Sequence, residues 1–357
     1  MSAPRVPLNF FGMPFGLAGL GGAWLAAAHA GHVPVAVGNT LCALAGLLWA
    51  VVLAFYGRYA LSARGAVGRD LADAVAAPFA SLAVITPMLL AALAVAPYAA
   101  TAGKVLVDVF LVLTLLLGGW FTGQWIYGPL ELDKLHPGYF LPTVAGGFLA
   151  SAGAGDVGQR RLSEIMLGLG LVCWLILGSM ILSRLFFRPS LPGPLLPTLA
   201  IEVAPAAVAS LAYFSLTDGR VDAFSAALAG YGLLMVLAQI RLLPAFLRLS
   251  FTPGFWAFTF SWAAVVSTAL RWNEYARLPG HLVYTYLLLA AITLLVGGIA
   301  GRTLVAAKRG ELLPPPPAPP APPAPPAPPA PPAPPASSAS PGSTDPANRS
   351  GEGPTST

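Results

Sequence analysis

The sequence predicts an all-α membrane protein of ten transmembrane helices, and three observations carry that prediction. The chain of 357 residues is 56% hydrophobic and only 9% charged, where a soluble domain carries about a quarter charged residues. Its apolar residues gather into stretches of about 20, the length that crosses a bilayer as a helix. Its arginines and lysines divide unevenly between the two sets of connecting segments, as cytoplasmic and external loops do.

In chain order the stretches fall at about 8–28, 35–57, 79–97, 104–127, 139–155, 162–186, 195–216, 222–247, 254–271 and 281–306. The apolar run after Arg5 continues past the ~7–15 residues of a signal-peptide core, so it is read as the first span. Ten spans place both termini on one side. With that side cytoplasmic, 13 of the 19 lysines and arginines lie inside, leaving Lys104, Arg160, Arg161, Arg220, Arg271 and Arg277 outside. An odd number of spans would erase that asymmetry. Cys42 and Cys173 each sit in an apolar run and read as thiols rather than a disulfide framework. Arginine used in preference to lysine, with the Ala/Gly/Leu bias, suggests a high-GC bacterial genome, and the location expected for such a multi-pass protein is the bacterial inner membrane. From Pro314 the chain becomes "PPPPAPPAPPAPP", a polyproline II spacer with no core to bury. The expected organisation is therefore a membrane domain over 1–312 and a disordered cytoplasmic Pro/Ala-rich tail over 313–357.

The spans alternate in character. Even ones are bulky and aliphatic, as in "LCALAGLLWAVVLAF" and "VLVDVFLVLTLLLGG". Odd ones carry small residues and a proline: Pro14, Pro87, Pro142 and Pro205 in spans one, three, five and seven. Proline removes a backbone hydrogen bond and kinks a helix, which hydrocarbon tolerates only where freed carbonyls face protein or a water-filled cavity. Gly12, Gly16, Gly19 and Ala23 share one face of the first span, and Thr143, Gly146, Gly147 and Ala150 recur similarly in the fifth. The even helices suit lipid and the odd ones an interior. Five hairpins around a central axis, with the odd helices lining a pore, follow from that alternation; close helix packing without a pore explains the small residues equally.

No histidine pair has metal-ligand spacing, and no HExxH, GxSxG or phosphate-binding glycine loop occurs. No enzyme, metal or cofactor is therefore expected. Ionisable groups within spans are candidates by default. Glu202, three residues before Pro205, reads either as a hydrated or Arg241-paired carboxylate or as an ion- or pH-sensing group at a pore mouth. In "GFWAFTFSWAAVVSTALRW" (254–272), Ala257, Phe260, Ser261, Ala264, Ser267 and Thr268 share one helical side, opposite Phe255, Phe258, Trp262 and Val265. The first side is small except for Phe260, which reads as a packing ring or as a hydrophobic gate that excludes water.

The stretches "FFGMPFGLAGLGGAW" (10–24), "HPGYFLPTVAGGFLASAGA" (136–154), "VAPAAVASLAYF" (203–214), "GYGLLMVLAQIRLLPAF" (230–246) and "GFWAFTFSWA" (254–263) resemble the tellurite-resistance/C4-dicarboxylate transporter family. This TehA-like family includes the plant guard-cell slow anion channels. The resemblance implies five hairpins in pseudo-fivefold symmetry around a central pore, usually in a homotrimer with one pore per subunit. It implies a gating phenylalanine on the ninth helix, matched by Phe260, and a second ring near the pore, matched by Phe11. Expected pore-lining positions are Phe11, Gly12, Pro14, Gly16, Pro87, Pro142, Thr143, Gly146, Pro205, Ala257, Ser261 and Ala264. Two departures stand out: Glu202 replaces an often apolar residue, and Ser261 replaces the proline that plant members carry after the gating ring.

The function expected is an anion channel or channel-like exporter, with small inorganic or organic anions and the lipid bilayer as partners and no nucleic acid. The alternatives are a proton-coupled carrier of monocarboxylates or C4-dicarboxylates using Glu202, a sulfite- or tellurite-related efflux protein, and a non-transporting scaffold that uses the proline tail.

Overall fold

The computed structural model describes residues 5–128 and 130–313. The tail predicted for 313–357 lies, apart from Leu313, outside the described residues. Among the described residues there is no β-strand, and the chain forms eleven α-helices. These are α1 (Gly12–His29), α2 (Val35–Ser62), α3 (Ala66–Ala72), α4 (Leu82–Leu90), α5 (Ala100–Tyr127), α6 (Gly146–Asp156), α7 (Arg160–Phe187), α8 (Ala204–Leu216), α9 (Ala223–Phe246), α10 (Trp256–Ala276) and α11 (His281–Lys308).

Eight helical stretches are long and apolar enough to cross a membrane: Leu8–His29, Val35–Ser62, Ala77–Val95, Ala100–Tyr127, Arg160–Phe187, Gly193–Leu216, Ala223–Phe246 and His281–Lys308. The stretches predicted as spans five and nine are helical but are not among them. In the fifth, α6 has only 11 residues and follows a π turn at Leu141–Ala145. In the ninth, α10 is long enough at 21 residues, but tryptophan, serine, threonine, Arg271 and Asn273 dilute its apolar content. Eight of the 11 residues of α6 and 11 of the 21 of α10 are buried, and on α10 the exposed positions fall in its last two turns, so lipid does not dictate their composition.

The alternation in sequence is an alternation in burial. In Leu8–His29, Ala77–Val95 and Gly193–Leu216 the most apolar windows are 61–78% buried; in the five long helices that follow or alternate with them the figure is 17–28%. Packing explains this. Five successive pairs lie side by side, α1 with α2, α4 with α5, α6 with α7, α8 with α9 and α10 with α11. The first members also touch one another in a closed circuit, α1–α4–α6–α8–α10–α1. Each inner helix therefore meets protein on most sides, and its small residues allow close approach.

The prolines sit at irregular turns. Pro14 lies in the first turn of α1, behind a 3-10 turn at Leu8–Phe11. Pro87 lies inside α4, which relaxes into a π turn at Ala91–Val95. Pro142 lies in the π turn before α6, and Pro205 opens α8 behind a 3-10 stretch at Gly193–Val203. Such turns leave carbonyls that an α-helix would occupy. One is recovered across the fold, where Gln239 Nε2 donates to the Leu199 carbonyl at 2.7 Å. The short helix α3, which sequence periodicity does not announce, presents buried Asp70 to Arg5 at 3.0 Å and thereby fastens the N-terminal segment.

Candidate functional site

A cavity of about 1040 Å³ lies inside the circuit of inner helices and is lined by all five of them. It occupies the half of the bundle toward their C-terminal ends. From α1 it receives Phe15, Gly19, Gly22 and Ala26; from α4 and its π turn, Leu89, Ala92 and Leu93; from α6, Phe148, Leu149 and Ala152. From α8 come Pro205, Val208 and Leu211, and from α10 Phe260, Ala263, Ala264, Ser267 and Arg271.

Its deep end is a plug of buried apolar side chains: Phe15, Phe260, Phe140, Leu141 and Ile201. Phe15 and Phe260 meet across it with ring centroids 5.1 Å apart and planes inclined at 45°. Tilted aromatic contact of this kind is attractive, and the five side chains named at this end are all apolar. Phe260 is held there from behind. The neighbouring turn of α10 presses on α1 through Thr259, and a Cβ placed on Gly16 would lie only 1.9 Å from Thr259 Oγ1. Glycine at 16 is thus a requirement of the α1–α10 contact. Phe258 points elsewhere, packing on Phe246 of α9 at 4.9 Å and on Phe255 at 5.7 Å.

The open end carries the charges. His29, Lys104 and Arg271 line it, with Asp156 and Asp218. Asp156 accepts a hydrogen bond from Ser215 Oγ at 2.5 Å. The permanent charges balance, two against two, so the rim is polar without a strong field of either sign. Between rim and plug the named lining is apolar except for Ser267 Oγ and the backbone.

Of the residues predicted to line a pore, Pro205, Phe260 and Ala264 lie on this cavity. The others do not. Phe11 sets its ring edge-on to Tyr56 of α2 at 6.0 Å, away from the axis; Phe15, one turn later, occupies the position beside Phe260. Gly12 lies against Trp256, and Gly16 against Thr259 and Trp256. Gly146 packs on Thr114 of α5, and Thr143 lies beside Gly118 of α5. Pro14, Pro142 and Ala257 are buried and Pro87 is half-buried, all outside the cavity lining. Ser261 is fully buried with its Oγ unpartnered, off the cavity by one position of helical rotation. Glu202 is 7% exposed, does not line the cavity and leaves Oε1 without a hydrogen-bond partner. No ion pair within 4 Å joins it to Arg241 among the described residues.

The missed lining residues, Gly19, Gly22, Ala92, Val208 and Ala263, had only a weak signal. They are small or branched apolar residues on helices where such residues occupy every side. Arg271 and Lys104 were visible as the charges that end or begin a span. Among the described residues no group of three His, Cys, Asp or Glu is placed to hold a metal ion. His136, ahead of α6, is fully buried with Nδ1 accepting from the Gly138 N–H at 3.1 Å and Nε2 facing the Val75 carbonyl at 3.2 Å. Burial lowers its pKa to about 4, so it serves as a neutral structural pin.

Comparison with known proteins fits this architecture. The family described as SLAC1, voltage-dependent anion channel, matches residues 5–304. A Haemophilus influenzae protein named tellurite resistance protein TehA homolog is 27% identical over 290 residues, covering 79% of this chain and 85% of its own. The Arabidopsis thaliana S-type anion channel SLAH2 is 25% identical over 187 residues, 52% of this chain and 36% of the plant protein.

Proposed function

The chain belongs to the SLAC1 family of voltage-dependent anion channels, and we propose that it conducts small anions along the axis of its inner helices, gated by Phe260 against Phe15. The observation that carries the reading is the cavity enclosed by five helices and ending on those two rings. In this reading ten helices cross a bacterial inner membrane with both termini cytoplasmic, the two less apolar ones being α6 (with its π turn) and α10. The five pairs form a pseudo-fivefold barrel, and subunits assemble as homotrimers.

An anion enters at the rim of Arg271, Lys104 and His29, loses part of its hydration among small side chains, and stops at the plug. An apolar constriction blocks by exclusion of water as well as by size. Passage needs the Phe260 ring to rotate or α10 to shift. Little side-chain chemistry distinguishes one small anion from another along such a path, so chloride, nitrate and small carboxylates are all admitted.

The test is anion flux into liposomes carrying wild-type protein, Phe260→Ala or Phe258→Ala. Removing a barrier of about 1.4 kcal/mol or more gives at least a tenfold rise. Phe260→Ala is expected to show that rise and Phe258→Ala to leave the rate unchanged. Equal behaviour of the two variants would sink the gate assignment.

One observation favours a second reading. Buried Glu202 with an unpartnered oxygen suits a carboxyl that takes up a proton during coupled transport. That reading requires saturable flux driven by a pH gradient, abolished in Glu202→Gln.

A further inference from the structure

A second cavity, of about 520 Å³, lies at the C-terminal end of α11. Its walls are Gly298, Gly301, Arg302, Val305 and Arg309, facing Phe251 and Pro253 of the segment that leads into α10. Positions 298, 302, 305 and 309 recur at intervals of three and four and so share one helical face. A Cβ on Gly298 or Gly301 would meet nothing within 4 Å. The helix is therefore bare there, and a slot runs along its backbone toward the two arginines.

Arg302 is held with its guanidinium carbon 5.2 Å from the centroid of the Phe251 ring. This cation–π contact positions the group without neutralising it. Neither Arg302 nor Arg309 pairs with a carboxylate within 4 Å among the described residues. Glu311 also lines the cavity. Two guanidiniums and one carboxylate leave one net positive charge. That complements a phosphodiester, which carries a single negative charge, better than it complements an inorganic phosphate dianion. The surrounding helix is of the lipid-facing kind, only 28% buried in its apolar window, with Leu294 and Leu304 exposed. Arginines at the end of such a helix stand at headgroup depth, where basic pockets recognise anionic lipids.

We propose that this slot binds one anionic phospholipid of the phosphatidylglycerol type, its phosphodiester on Arg302 and Arg309 and the start of an acyl chain along Gly298 and Gly301. The experiment is lipid retention by the full-length protein, released from bilayers of equal phosphatidylglycerol and phosphatidylcholine and weighed by native mass spectrometry. Wild type is expected to keep phosphatidylglycerol about tenfold over phosphatidylcholine. The pair Arg302→Gln with Arg309→Gln, and separately Gly301→Leu, are expected to bring that ratio to about one. Gly301→Leu fills the slot while every charge remains, and the open space around Gly301 lets the variant fold; its melting temperature without anionic lipid checks this. An unchanged ratio in either variant overturns the proposal. Displacement of the lipid by millimolar inorganic phosphate overturns it in favour of a free-anion site. Loss of self-association in Gly301→Leu with lipid retention intact overturns it in favour of a contact between copies. The measurement reads no transport, so its outcome is separable from that of the pore reading.

Discussion

The contact between α1 and α10 makes Gly16→Ala a sharp perturbation of the plug. The added Cβ would lie 1.9 Å from Thr259 Oγ1, 2.8 Å from Thr259 Cβ and 3.0 Å from Trp256 Cε3. Carbon and oxygen approach no closer than about 3.3 Å, so the hydroxyl must retreat by about 1.4 Å. Rotating it away breaks its bond to the Trp256 carbonyl, 2.7 Å long, at a cost of about 1 kcal/mol. Rotation does not move Thr259 Cβ, which still needs about 0.7 Å or more to reach ordinary carbon contact, and that can only come from separating the helices. Overpacking of this kind costs about 1–3 kcal/mol, so the total loss is about 2–4 kcal/mol. Phe260 follows Thr259 directly and Phe15 precedes Gly16, so the same separation draws the two rings apart. Gly16→Ala is therefore expected to lower the melting temperature in detergent by several degrees and to raise liposome anion flux. Adding Thr259→Gly, which removes both clashing atoms, should recover much of each change. A Gly16→Ala protein with wild-type melting temperature and wild-type flux would refute the argument that this contact holds the plug shut.

Three further outcomes are expected. His136 is buried neutral, with its pKa lowered from the usual 6.5 to about 4 by loss of solvent. Its contribution is therefore fully present above pH 6.5 and is lost as pH falls toward 4, at most about 3 kcal/mol. Melting curves from pH 7 to 4.5 should fall more steeply for wild type than for His136→Asn, which does not titrate. Arg271→Gln leaves the cavity rim with Lys104 against Asp156 and Asp218. It should slow anion flux at low salt by roughly two- to fivefold and less at high salt, where the field is screened; a salt-independent change would point to altered structure instead. Asp70→Asn removes the charge that holds Arg5 at 3.0 Å and should expose the segment before α1 to proteolysis without changing flux.

Much of the architecture was legible because lipid and protein make different demands on a helix. Lipid-facing helices need bulk and apolarity, and α2, α5, α7, α9 and α11 declare themselves by it. Inner helices need thinness, and their irregular turns are tolerated where neighbours recover the backbone, as Gln239 does for the Leu199 carbonyl in the 3-10 stretch before α8. The facing of individual small residues was not legible. Gly12, Gly16, Gly146 and Thr143 were assigned to the axis, yet they touch Trp256, Thr259, Thr114 and Gly118. A small side chain records that something comes close and says nothing of what it is. On α1 and α6, helices, loops and a cavity all come close on different sides, so periodicity has no contrast to read. Phe260 stood out as a large ring on a small face, and that face does border the cavity, but contrast alone did not choose between a packing ring and a gate. Phe11 and Phe15 are two rings in one short run, and only the packing of Phe11 on Tyr56 separates them.

The same reasoning accounts for α10, whose membrane signal is among the weakest in the chain. Its polar side chains are used one by one, some on its own backbone and most against neighbouring helices. Thr259 Oγ1 bonds the Trp256 carbonyl and fills the space at Gly16; Thr268 Oγ1 donates to the Ala207 carbonyl of α8 at 2.9 Å. Ser267 faces the cavity, Asn273 binds the His281 carbonyl and Thr285 of α11, and Trp256 Nε1 donates to Thr303 at 3.0 Å. A hydroxyl on a lipid-facing helix can donate to its own backbone, as Thr40 and Ser179 do, but an asparagine amide or an indole N–H needs a neighbouring helix to supply its partner. Low apolarity in a chain otherwise built for a membrane therefore marks enclosure. In this protein it marks the helix that contacts α1, α8 and α11 at once and carries the ring at the base of the cavity.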